Sequence, residues 1–258
     1  MKIDLKKELN EFKVLLRSVP PLTLTMFVLS VVLMNLFANK GLVALDWIAL
    51  DAGIVVSWLS FLSMDIIVKH FGVKASISVS IAAIIINTFV AGIFWVVSAM
   101  PGDWSASYVE GSQGIINSAL NSTLAGSWFI IFGSVTAFLL ASVVNNVLND
   151  LIGRHLKKDN AAAYYIRSYA STIIGQFVDN LTFALIVSLH FFGWNLRQCI
   201  VCALFGACVE LLCEVVFSPI GYRIVRKWES EKVGAEYLKL RKIKDISAVR
   251  TADKKYSA

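Results

Sequence analysis

The chain reads as an all-α polytopic membrane protein with six transmembrane helices and both termini cytoplasmic. Three observations predict this: composition, the length of its apolar runs and the distribution of its basic residues. Of 258 residues, 57% are hydrophobic and 16% charged, against about 25% charged in an ordinary soluble domain. Mean hydropathy is +0.69, so much of the surface calls for a solvent other than water. Six runs are long enough to cross a bilayer core, which takes roughly 17–25 helical residues. Of the 24 basic residues, 22 fall on one side of the resulting topology and 2, Lys40 and Arg197, on the other. The positive-inside rule then puts both ends in the cytoplasm. The same asymmetry accounts for the net charge of +6 without a nucleic-acid partner.

Taken in order, residues 1–20 form a cytoplasmic N-terminal segment, a short amphipathic helix stopped by Pro20-Pro21. Its lysines followed by an apolar stretch imitate a signal peptide, but the run is too long and no A-x-A site closes it. Residues 21–226 hold the membrane domain, with spans at Leu22–Ala38, Ala52–Val68, Ala75–Met100, Leu124–Val147, Ala170–Phe192 and Cys199–Ile220. The external connection from Pro101 to Thr123 reads as a solvated loop. Trp47, Trp104, Trp128 and Trp194 fall at the outer ends of spans, where an amphipathic ring suits the headgroup layer, and Trp228 marks the inner boundary. Residues 227–258 are a basic cytoplasmic tail, expected to continue as a helix and then fray.

Charge inside hydrocarbon is costly, so ionisable residues within spans usually line a cavity or pathway. Four acids qualify: Asp65, Asp179, Glu210 and Glu214. Asp51 and Asp150 sit at span edges. In the fifth span Ser168, Ser171, Thr172, Gly175, Gln176, Asp179, Asn180 and Phe183 recur at steps of three and four, which places them on one helical stripe. Serine and threonine alone would suit interhelical hydrogen bonding; Gln176, Asp179 and Asn180 exceed what packing needs and point to a cavity. Glu210 and Glu214 lie one turn apart in the sixth span, as a proton-carrying pair or as acceptors for a ligand donor. Asn145 and Asn146 join the polar set from the fourth span. With no lysine or arginine expected inside the spans, this cavity is wrong for phosphates or carboxylates. It suits a cation, or a neutral molecule presenting N–H donors.

Nothing points to catalysis: there is no Walker motif, Gly-rich phosphate loop, HExxH or G-x-S-x-G. His70, His155 and His190 are too scattered to share a metal. The four cysteines all lie in the sixth span and read as small buried hydrophobes despite Cys199-x-x-Cys202. No cofactor is expected.

Four separated motifs resemble the queuosine precursor transporter family, once called vitamin uptake transporters. They are Asn35-Leu-Phe-Ala-Asn39-Lys40, then Asp65-Ile-Ile-Val-Lys-His-Phe71-Gly72, then the run from Ser168 to Phe183 through Gly175-Gln176-Phe-Val-Asp179-Asn180, and Glu214 followed by Pro219 and Tyr222. Lys69 stands where many members of that family carry an acid. The resemblance implies an inner-membrane transporter that imports a 7-deazaguanine-type queuosine precursor for tRNA modification. Its substrate-binding candidates are Asn35, Asp65, Asn145, Gln176, Asp179, Asn180, Phe183, Glu210 and Glu214, with Trp58 or Phe183 stacking on the flat base. The alternative is a membrane substrate-binding subunit that relies on a separate ATPase. Expected partners are the lipid bilayer and a purine-like small molecule, with no nucleic acid; a homo-oligomer stays open.

Overall fold

A computed structural model describes residues 5–104, 110, 111, 113–126, 128–155 and 161–241. The side chains of Asn146, Asp150 and Ser168, and residues 242–258 of the tail, lie outside what is described. Up to Ser230 the described residues form nine α-helices, one π-helical turn and one hairpin, and a further helical stretch follows at 235–241. Five helical stretches are long and apolar enough to cross a bilayer, and a bent pair at the N-terminus makes a sixth. The fold is an all-α polytopic membrane protein, as the apolar runs predict.

The bent pair is α1 (Leu5–Ser18) and α2 (Pro21–Phe37), which meet at 105°. Proline suits the first turn of a helix because its missing N–H would be unpaired there, yet it cannot continue the helix before it. The break therefore falls at Pro20-Pro21. α1 buries Val14 and Leu15, and its Glu8 and Glu11 pair with Lys74 at 2.8 and 3.0 Å.

The connection between α2 and the next helix is an antiparallel hairpin, β1 (Gly41–Leu45) and β2 (Ile48–Asp51). The apolar-run reading does not anticipate it. β1 is mostly exposed, whereas Ile48, Ala49 and Leu50 are buried. α3 (Ile54–Phe71) and α4 (Val73–Ala99) follow, joined at Gly72. With φ at +88°, Gly72 holds the left-handed backbone that closes this tight turn.

The expectation of a plain loop over 101–123 is corrected. Its second part is α5 (Gln113–Ala125), which leads into α6 (Trp128–His155) as an apolar run of 32 residues, Gly114–Asn145. Trp104 is tied to it, its indole N–H donating to Asn121 Oδ1 at 2.6 Å. α7 (Ala161–Phe183) passes into a π-helical turn, Ala184–Ser188, and a short α8 (Leu189–Phe191). The last span is α9 (Leu196–Ser230), 35 residues long. Pro219 cannot donate to the Val215 carbonyl, and Ser218 Oγ donates to it instead at 3.5 Å.

One end of the bundle is knit by both termini. After α9 the chain turns at 231–234 and is helical again over 235–241. Arg241 donates to the last carbonyl of α3, Phe71 O, at 2.6 Å, and His70 Nε2 reaches Val233 O at 2.9 Å. The rings of Trp228 and Tyr237 close on Phe71. Trp228 is buried in this packing. Val14, Leu15 and Val19 of the N-terminal segment join the same apolar cluster. The N-terminal segment from Leu5 and the helical stretch 235–241 therefore lie at one end of the bundle.

Candidate functional site

The site is built where α7 comes close to α9. Gly206 permits the approach: a β-carbon there would sit 2.7 Å from Asn180 Nδ2. That spacing lets Asn180 Nδ2 donate to Glu210 Oε2 at 3.1 Å. The two helices thereby bring Asp179, Asn180, Phe183 and Glu210 around one cavity, which Asn35 of α2 also lines. The space between its atoms, open solvent at the mouth included, comes to about 610 Å³. Its polar groups are mainly acceptors, and no lysine or arginine is among its lining residues.

The hydrogen-bond inventory separates these groups. The Asn35 amide nitrogen is occupied, donating to Val31 O at 2.9 Å. Glu210, buried, already accepts from Asn180. Asp179 Oδ1 is buried with no partner. A buried acceptor left unmade costs about 1–3 kcal/mol, more when charged. Asp179 is therefore the group most in need of a donor from outside the protein.

Further lining residues come from elements that the helical stripe could not reveal. Ser57 opens α3, Ser134 and Ala137 come from α6, and Cys202 from α9. Leu50 and Asp51 of the hairpin lie at the mouth. Asp51 accepts a 2.8 Å bond from Gly53 N, and burial pushes its carboxyl up to about 6. The hairpin is fastened over the site by α9, whose first residues form a capping box between Asn195 and Gln198. Gln198 Nε2 donates to Leu45 O at 2.7 Å and Asn195 Nδ2 to Asp46 O at 3.3 Å. The π-helical turn begins at the residue after Phe183. Such turns insert one residue into a helix, release backbone carbonyls and recur at functional sites. Here Cys199 Sγ meets the Ala184 carbonyl at 3.5 Å.

Not every predicted residue comes to this cavity. Asp65, Asn145 and Gln176 line a separate, narrower one of about 310 Å³ between α3, α6 and α7. The expectation that no cation neutralises the span acids fails at Asp65: α3 runs on to Phe71, so Lys69 lies within it and pairs with Asp65 at 3.2 Å. Glu214 is buried in α9 but does not line the cavity of Glu210. Trp58 stacks on Phe217, with centroids 4.3 Å apart, and lies outside the cavity lining. Phe183 remains the aromatic at the site. Of the cysteines only Cys199 is fully buried, and Cys208 is exposed on the surface of the helix.

Five apolar helical stretches, six with the bent pair, surround a polar, acceptor-rich cavity, an arrangement that suits a membrane transporter. A family model described as "Putative vitamin uptake transporter" matches residues 51–224. The chain belongs to that family. No curated protein and no solved structure matches the chain at a significant level.

Proposed function

We propose that the protein imports a 7-deazaguanine-type base, a queuosine precursor, across the inner membrane for tRNA modification. The observation that carries this reading is the unpartnered Asp179 carboxylate oxygen in a cavity lined by Glu210, Asn35 and Phe183. A deazaguanine presents a ring N–H beside an exocyclic amine, a donor edge that one carboxylate accepts through two bonds. Asp179 is the better acceptor for it, because Asn180 already serves Glu210. Phe183 offers a face for the flat base, and stacking of this kind contributes about 1–3 kcal/mol. The charge distribution supports cytoplasmic termini, which puts the hairpin and the mouth on the outer side.

The test is uptake of labelled 7-cyano-7-deazaguanine into cells that cannot make the precursor, read as queuosine restored in tRNA. The chain alone is expected to restore it at low external base. Asp179→Asn is expected to lower uptake about 10- to 100-fold, since hydrogen bonds to a charged group are worth about 1.5–3 kcal/mol. Membrane yield should stay normal in that variant. Wild-type uptake by Asp179→Asn would remove Asp179 from the site. An absolute need for a co-expressed ATPase would replace the carrier reading with that of a substrate-binding subunit.

A further inference from the structure

Three voids lie in line through the bundle. The outer cavity shares Met34, Asn35, Ser134 and Asp179 with a second void of about 490 Å³. That second void shares Phe61, Met64 and Phe138 with the third, the cavity of Asp65, Asn145 and Gln176. The line leads from the hairpin towards the end where the termini meet, because Asp65 lies one and a half turns before the Phe71 clamp. Its polar walls alternate with apolar ones. Asp179 and Asn35 are followed by two aromatic rings and a methionine, and then by a carboxylate and two amides.

The third cavity repeats the chemistry of the first. Gln176 is buried, and its Oε1 has no hydrogen-bond partner; the same is true of Asn145 Oδ1. The position of Asn145 is set by Gly175, where a β-carbon would come within 3.2 Å of the Asn145 side chain. Asp65 is steadied by Lys69, and Thr172 adds a hydroxyl. Two unserved acceptors facing a void are costly unless a donor visits them. Phe61, Met64 and Phe138 line both cavities, and rotamer changes of such long side chains can open a wall while the helical backbone hydrogen bonds are kept. Methionine is the side chain best suited to such repacking, and an apolar constriction of this sort blocks polar solutes until it widens.

We propose that the Asp65–Asn145–Gln176 cavity is a second binding station for a flat, N–H-donating solute, separated from the Asp179 station by a side-chain gate of Phe61, Met64 and Phe138. The solute leaves Asp179, passes the gate and is accepted by the amide oxygens before release at the end where the termini lie. For its ligand the proposal rests on the reading of the protein as a deazaguanine carrier; the gate and the second station are stated for any solute of that chemistry.

Two measurements on the full chain test it. In the first, binding of labelled 7-cyano-7-deazaguanine to purified protein is compared with uptake into proteoliposomes. Gln176→Leu should bind within about twofold of wild type yet carry at least about tenfold less, because the loss of a buried acceptor falls on the later step. Asp179→Asn should lose both. Wild-type uptake by Gln176→Leu overturns the station, and so does a parallel loss of binding and uptake.

The second measurement needs no substrate. An added cysteine, Asn145→Cys, is labelled with a charged, membrane-impermeant thiol reagent in right-side-out and inverted vesicles, and the signal is taken above that of the unsubstituted chain. Labelling is expected from the side of the termini, and from the hairpin side only when Phe138→Ala is also present. Labelling from the hairpin side without Phe138→Ala overturns the gate. Labelling from neither side with Phe138→Ala present overturns the pathway. If wild type fails to bind the base while this labelling pattern holds, the deazaguanine reading falls and the gated second station stands for another donor-bearing solute.

Discussion

The two ends of the bundle are built on opposite plans. At the hairpin end, acids and amides surround a void, and Asp179 keeps an oxygen without a partner. At the end where the termini meet, Phe71, Trp228, Tyr237 and Leu15 pack in one apolar cluster beside the third cavity, and polar groups are spent on one another through Arg241, His70 and Lys74. The first arrangement gives up stability to leave chemistry unsatisfied; the second supplies the packing that keeps six helices in register. The difference assigns recognition to one end and cohesion to the other. Perturbing each end should therefore move different observables.

The largest effect is expected from Phe71→Ala. The ring is fully buried between α3, Trp228, Tyr237 and the turn at Gly234. Truncation of a buried phenylalanine costs about 3–5 kcal/mol. Thermal unfolding in detergent should shift down accordingly, while uptake per folded molecule stays near wild type. A variant that keeps its melting temperature but loses transport would break the division of labour.

Gly206→Ala should do the reverse. The added methyl displaces Asn180 from Glu210 at the α7–α9 contact. Uptake should drop about tenfold, equivalent to about 1.4 kcal/mol, with a small change in melting temperature. Normal transport in this variant would mean that the Asn180–Glu210 bond does not shape the site.

The smallest effect concerns pH. Burial holds the Asp51 carboxyl at about 6 against an ordinary 3.8. It is therefore ionised at pH 7 and neutral at pH 5, and uptake of a donor-bearing base should weaken a fewfold over that range. The cause would not be unfolding. A raised pKa means that the folded state binds this proton more tightly than the unfolded chain, so this group adds stability as pH falls through 6 towards 3.8. Asp51→Asn should flatten the profile; an unchanged pH response in that variant assigns the titration elsewhere.

Much of this architecture is legible in the sequence, because each crossing leaves a local signature. α2, α3 and α4 coincide with apolar runs to within a few residues, whereas α7 starts nine residues before its run and α9 continues ten residues beyond its own, to Ser230. The α7 stripe is legible for the same reason: helical period alone puts Asp179, Asn180 and Phe183 on one face. What periodicity cannot supply is how far that stripe extends along one cavity. Gln176 lies on the same face as Asp179, one turn earlier, yet lines a different void with Asp65 and Asn145. Leu50 and Asp51 reach the cavity through a hairpin, and hairpin pairing is a contact between segments rather than a local pattern. Trp58 illustrates the converse, since nothing local announces that Phe217, far along the chain, will occupy its face. The π-helical turn after Phe183 left no mark either, because one inserted residue does not change hydropathy.

The capping box at the start of α9 has a mechanical consequence. Its two polar residues also grip the hairpin, so the roof of the cavity is bolted to the same rod that carries Glu210 a few turns below. Asp179 rides on a different rod, whose upper portion is loosened by the π-helical turn. The site is thus a jaw with one rigid plate and one jointed plate. Tilting the rigid plate moves roof and Glu210 together, and it moves both relative to Asp179.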